Sequence, residues 1–259
     1  MKIEAARSEK NRLMQEKYSQ LLSRFGIDNL DGLSSMPAPE PRTRDFGGCV
    51  PGCEICEGIG VLTDTDGKSF PCPNNPLRFY QTGVGEGDLE IMQKIPKTEN
   101  LKNIKAALKT VLDARAGMVT IYGAPGIGKT VSAKAFTVLA VERRMRAIYV
   151  RQSEMINDLR SAFDAVQGQL EYNARLERYK TADWLVIDEL GRDRMTDFAQ
   201  ESLSEIIDAR YTAAITGKAA TVLISNNAPE AIFQAYVVDR IRDRRNQVLN
   251  LRGKSLRGG

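Results

Sequence analysis

An α/β fold, a parallel sheet flanked by helices, is the architecture this sequence predicts, and three observations carry it. Five short runs rich in β-branched and aliphatic residues recur after residue 98, namely MVTIY (118–122), AIYVR (147–151), WLVID (184–188), TVLIS (221–225) and QVLNL (247–251). Stretches with helical spacing separate the runs, and the first run leads directly into a glycine-rich loop followed by an apolar helical pattern. Strands that alternate with helices must cross over between pairings, which makes neighbouring strands parallel and covers both faces of the sheet.

Residues 3–25 place Met14, Tyr18, Leu21, Leu22 and Phe25 at helical spacing among charged residues, predicting an amphipathic helix. Its apolar stripe fits packing on its own domain or anchoring a partner protein. Gly26, Asp31-Gly32 and the stretch MPAPEPR end this helix and read as a linker. A glycine-, cysteine- and proline-rich segment follows over residues 47–76. The expected organisation is therefore an N-terminal partner-binding module over residues 1–80, a linker over 81–97 and the α/β domain over 98–259.

The composition excludes several function classes. The 259 residues, 42% hydrophobic and 27% charged, have the balance of a chain with a buried core. No apolar run approaches the roughly 18 residues that cross a bilayer, and the opening MKIEAARSEKNRLMQEKYSQ lacks an apolar signal core. A cytoplasmic location without a membrane partner is the expectation. Histidine is absent, so imidazole enters no mechanism. The net charge of +4 is mild, but the basicity is local. Arg240, Arg242, Arg244, Arg245, Arg252, Lys254 and Arg257 face only Asp239 and Asp243 over residues 237–259, an excess at least as large as the net charge of the whole chain.

All four cysteines, Cys49, Cys53, Cys56 and Cys72, lie in one short segment. In a reducing compartment such clustering points to metal ligation rather than disulfides. Cys53-x-x-Cys56-x-Gly58-x-Gly60 forms a knuckle in which two thiolates converge and the glycines permit the tight turn. Asn75 stands where a second knuckle would carry its last cysteine, and Cys49 offers the missing thiolate. The set fits a tetrahedral structural Zn²⁺, with an iron–sulfur cluster as the competing occupant.

The loop after MVTIY reads Gly123-Ala124-Pro125-Gly126-Ile127-Gly128-Lys129-Thr130, and Val131 begins the helical pattern that follows. This is GxxxxGK[ST] in its strand, loop, helix context, a P-loop for a nucleoside triphosphate. Its backbone amides wrap phosphates at a helix N-terminus, Lys129 places a positive charge on the β and γ phosphates, and the Thr130 hydroxyl ligates Mg²⁺. WLVIDEL then supplies a buried strand ending in Asp188, suited to the Mg²⁺ water shell, and Glu189, one residue beyond the strand, suited to polarising an attacking water. Asn226, after TVLIS, fits either a γ-phosphate sensor or a simple turn. The arginines of VVDRIRDRR fit either phosphoryl stabilisation in a neighbouring subunit or a solvated helix face.

The series YGAPGIGKT, WLVIDELG, IIDARY, LISNN, VVDRIRDRR and GKSLR over about residues 95–257 resembles the AAA+ ATPases of the DnaC and IstB type. These are helicase loaders and transposition helpers. The resemblance implies an ATPase core with little or no helical lid, Asn226 as sensor 1, Arg240 as the arginine finger and Arg257 as sensor 2. It further implies ATP-dependent self-association, with single-stranded DNA along the assembly. Arg151, Arg160, Arg175, Arg178 and Lys180 are candidate DNA contacts, which would make binding salt-dependent. The zinc module resembles the N-terminal regions of several loaders, so the replicative hexameric helicase is the expected partner. A transposition helper assembling on duplex DNA is the alternative.

Overall fold

The computed structural model describes residue 49 and residues 52–63, 67, 69–72, 74–75, 79, 82–84, 91, 94–163 and 168–256. The helix expected over residues 3–25, the proline-rich linker and Arg257 lie outside the described residues. Two compact units are present, one comprising residues 1–80 with 142–144, the other residues 81–141 with 145–259.

In the smaller unit β1 (Val61–Thr63) and β2 (Ser69–Pro71) pair antiparallel, with Val61 opposite Pro71. Cys49, Cys53, Cys56 and Cys72 are buried in one cluster with Leu62. Left-handed backbone at Glu57, Gly58 and Gly60 folds the knuckle back on itself. Asn75, only 1% exposed, donates its amide to the Gly60 carbonyl at 2.9 Å. Where a paired knuckle would have its last cysteine, this chain has a side chain that pins the glycine turn.

The larger unit runs α1 (Glu99–Ala114), β3 (Gly117–Gly123), α2 (Lys129–Glu142), β4 (Ala147–Arg151), α3 (Gln152–Ala162), α4 (Gly168–Thr181), β5 (Trp184–Leu190), α5 (Asp197–Ile215), β6 (Ala220–Ser225), a 3₁₀ turn (Pro229–Ala231), α6 (Ala235–Ile241) and β7 (Gln247–Leu251). The five predicted strands all form. They make one parallel sheet in the order β4-β5-β6-β3-β7. From β3 the chain travels to the far edge, returns through β5 and β6, and crosses β3 to reach β7. The loops following β3, β5 and β6 therefore meet at one carboxyl edge, where ligands bind in open α/β sheets.

Strand periodicity sorts the core. Met118, Ile148, Val150, Leu185, Ile187 and Leu223 face a cluster completed by residues of α3, α4, α5 and α6. The alternate positions face the other side, where the Trp184 indole N–H donates to the Thr137 hydroxyl of α2 at 3.1 Å. On α1, Ile104, Ala107, Leu108, Val111 and Leu112 form the buried stripe, and the Thr98 hydroxyl caps the helix by accepting from the Leu101 N–H. Arg210 on α5 is fully buried. Its guanidinium donates to the carbonyls of Ala182 and Ala220, and to the Thr221 hydroxyl at 2.9 Å, joining the segment before β5 to β6. Burial draws its pKa down to about 10, so it remains charged at neutral pH and is met by carbonyl dipoles.

Candidate nucleotide and metal sites

The loop over residues 123–130 leaves β3 and enters α2 with Gly123, Gly126 and Gly128 all at positive φ (132°, 77° and 96°). A Cβ at Gly126 would sit 2.1 Å from the Ser255 Oγ, and one at Gly123 would sit 1.9 Å from the Leu251 carbonyl. The glycines thus permit both the left-handed turn and the close approach of the C-terminal segment. Leu256 donates its N–H to the Gly126 carbonyl at 2.8 Å, so Ser255 and Leu256 of the GKSLR segment lie across the loop. Sequence reading found that segment but not its place. Ile127 is buried and anchors the loop, Ala124, Thr130 and Val131 are half-buried, and Pro125 is exposed.

Lys129 is 6% exposed, and its ammonium donates to the carbonyls of Gly123 (2.7 Å) and Ala124 (2.8 Å) and to the Asn226 Oδ1 (3.0 Å). Residues far apart in the chain therefore meet at the carboxyl edge. The Ser225 hydroxyl donates to the Asn227 carbonyl, so the same segment also makes the turn that its asparagines suggest.

Asp188 pairs in register with Arg151 on the β4 side, but the β6 side slips between Ile187 and Leu190. This bulge adds one residue to β5 and holds Glu189 at φ 57°, a conformation unusual for a non-glycine residue. Glu189 was expected to leave the strand after Asp188; instead β5 continues to Leu190 and the bulge re-aims the side chain. The Asp188 carboxylate, 1% exposed, accepts from the Tyr149 hydroxyl at 2.7 Å and from the Glu189 N–H at 2.6 Å. With one donor on each oxygen, each keeps an acceptor direction that a hydrated cation could use. Burial, and then the nearby Asp188 charge, raises the Tyr149 pKa and keeps its proton in place. Glu189 lies 2.7 Å from Arg192 and 3.9 Å from Arg151. Sequence reading missed Tyr149, since within AIYVR it is indistinguishable from strand core.

The glycine loop, the bulged acidic strand and the asparagine that meets Lys129 come together at the carboxyl edge of the sheet. The family of IstB-like ATP binding proteins matches residues 95–257. The chain belongs to this family. An ATP-binding protein of insertion sequence IS5376 from Geobacillus stearothermophilus is 26% identical over 164 residues, covering 60% of this chain and 61% of that protein, less than two thirds of its length. Among solved structures, the DnaC helicase loader aligns with a TM-score of 0.51 at 22% identity, over 62% of this chain and 94% of that one. The replication initiator DnaA bound to AMPPCP and single-stranded DNA gives 0.54 at 18% identity, over 63% and 50%. At these identities the two structures establish the shared fold.

On this IstB-like core Arg240 does not join the Lys129 group. Asp208 of α5 forms an ion pair with its guanidinium, which also lies 5.6 Å from the Tyr236 ring centre. Three of the candidate DNA contacts are paired within the chain. Arg151 meets Glu154 and Glu189; Arg175 meets Glu171 (2.9 Å) and Asp158 (3.1 Å); Lys180 meets Glu205 (2.6 Å) and Glu177 (3.3 Å). Arg160 and Arg178 are exposed and lie over the rings of Phe198 and Tyr179. No helix among the described residues is long and apolar enough to cross a membrane.

In the smaller unit the four cysteine sulfurs all lie within 4.8 Å of one another, a spacing that fits one tetrahedral ion. The Gly60 N–H donates to the Cys56 sulfur at 3.2 Å and the Asn74 amide to the Cys53 sulfur at 3.5 Å. Burial pushes Cys49 up to about 12. Burial also acts upward on Cys53, but the backbone N–H groups of Ile55 and Cys56 and the Asn74 amide bring it down to about 6. A divalent cation is what would let all four crowded sulfurs ionise together.

Proposed function

We propose that the protein is an ATPase that assembles with ATP, binds a hexameric replicative helicase through its N-terminal unit and engages single-stranded DNA. The meeting of Lys129 with Asn226, beside the bulged Asp188-Glu189 pair, carries the hydrolytic part of this reading. The loop amides and Lys129 hold the triphosphate, while Thr130 and Asp188 hold Mg²⁺, which supplies charge neutralisation at the phosphates. Glu189 accepts the proton of the attacking water, and Asn226 orients that water. Arg240 completes the site of a neighbouring subunit. That role agrees with its position in an ion pair apart from its own chain's loop. Arg257 contacts the phosphates as the second sensor.

The four-cysteine unit supports the loader assignment, with Zn²⁺ on Cys49, Cys53, Cys56 and Cys72 stabilising a small surface for the partner. The test is a pull-down of the cognate helicase with ATP, using the full chain and its Cys56→Ser variant. Capture by the native chain and loss in the variant is the expected result. Failure of both to capture the helicase would refute the loader assignment.

A second reading, a transposition helper on duplex DNA, is favoured by the relative from an insertion sequence. Capture of the cognate transposase instead of the helicase, with ATP-dependent assembly on duplex DNA, would support it.

A further inference from the structure

The Asp188 carboxylate is fixed by one side chain that no sequence motif marks. Tyr149 sits on β4 at 5% exposure, and its hydroxyl donates to Asp188 Oδ2 at 2.7 Å while the Glu189 N–H occupies Oδ1 at 2.6 Å. A carboxylate offers about four acceptor sites. With one donor on each oxygen, the plane of the group is set and one acceptor direction per oxygen remains. A phenol donating to a buried carboxylate at this length is a strong, charge-assisted bond.

The backbone of Tyr149 is also held. Its N–H donates to the Thr82 carbonyl at 2.7 Å, which brings residues 82–84 onto the exposed edge of β4. Gly83 takes φ 73°, and a Cβ there would lie 1.9 Å from the Tyr149 carbonyl oxygen and 3.3 Å from its ring. Only glycine allows this approach. The segment leading into the core therefore bears on the one residue whose hydroxyl orients Asp188.

We propose that Tyr149 is a positioning residue for the magnesium carboxylate, and that docking of residues 82–84 on Tyr149 makes the metal site responsive to the segment preceding the core. The proposal rests on the assignment of Asp188 to Mg²⁺ and adds to it a contact through which residues 82–84 bear on the metal site. Loss of the hydroxyl leaves a buried carboxylate free to rotate, and loss of a group that orients a metal ligand commonly weakens metal binding by about ten- to a hundredfold.

The experiment measures binding of a fluorescent ATP analogue to the full-length protein in EDTA and at rising free Mg²⁺, for the native chain and for Tyr149→Phe, Gly83→Ala and Asp188→Asn. Binding in EDTA uses the loop and reports that each variant is folded. The expected result is unchanged binding in EDTA for Tyr149→Phe, with the half-saturating Mg²⁺ raised about tenfold or more, and a smaller rise in the same direction for Gly83→Ala. An unchanged or lowered Mg²⁺ requirement in Tyr149→Phe, with Asp188→Asn shifted, would overturn the positioning role. An unchanged requirement in Gly83→Ala would overturn the coupling. If Asp188→Asn itself left the Mg²⁺ requirement unaltered, the metal assignment on which both depend would fall.

Discussion

Glu189 illustrates how much a single backbone angle can matter. At φ 57° it occupies a region that disfavours side chains, and it is kept there by the slip of β5 against β6. Strain of this kind collects where a side chain must be aimed. Glu189→Gln keeps the bulge and the Asp188 ligand but removes the base. Its turnover should fall by about two to four orders of magnitude with nucleotide binding intact, read from steady-state phosphate release beside a fluorescent-nucleotide titration. Gly126→Ala perturbs the site from the opposite side. The added methyl meets the Ser255 side chain and forces an alanine to φ 77°, which should cost about 1–3 kcal/mol in stability and weaken ATP binding. Thermal unfolding with and without ATP checks both effects.

At the level of elements, the sheet and its helices are joined by polar staples as well as by apolar packing. Arg210 ties α5 to the segment before β5 and to β6 through the Ala182 and Ala220 carbonyls and the Thr221 hydroxyl. Arg210→Met would preserve much of the apolar volume while leaving buried acceptors without donors. Each such acceptor costs about 1–3 kcal/mol, so urea denaturation should show a loss of about 2–5 kcal/mol. The C-terminal segment acts on another element, the loop, through the Leu256 N–H and the Ser255 contact with Gly126. Among the elements the strands were the most legible. Each has a short β-branched run bounded by turns, and each formed where the runs lie.

For the whole molecule, the two units are expected to separate in their functions. Removal of metal by a chelator should release one ion per chain, unfold the cysteine cluster and abolish helicase capture while ATP binding persists; metal analysis beside the nucleotide titration tests this. Arg240→Ala should leave ATP affinity nearly unchanged and remove the part of hydrolysis that grows with protein concentration. Loss of turnover to the same degree at the lowest concentrations would show that Arg240 acts within its own chain. Among the DNA candidates, Arg160 should matter more than Arg175 and Lys180, since the latter are already paired with carboxylates. Salt-dependent binding of single-stranded DNA by the three alanine variants makes the comparison.

What the sequence determined by itself was whatever depends on neighbours in the chain: the strand runs, the glycine spacing that lets residues 123–130 turn into α2, the acidic end of β5 and the cysteine knuckle. Local backbone sterics and side-chain periodicity dictate these features. Only the tertiary structure decided what depends on residues distant in the chain. It placed Tyr149 on Asp188, laid Ser255 and Leu256 across Gly126, bulged β5 at Glu189, turned Asn75 into a hydrogen-bond donor for Gly60 and paired Arg151 with Glu189, Arg175 with Asp158 and Lys180 with Glu205. Hydrogen bonds and ion pairs of this sort form between groups that strand order and helix packing bring together, and pairings of that range leave no periodic trace in the chain that makes them.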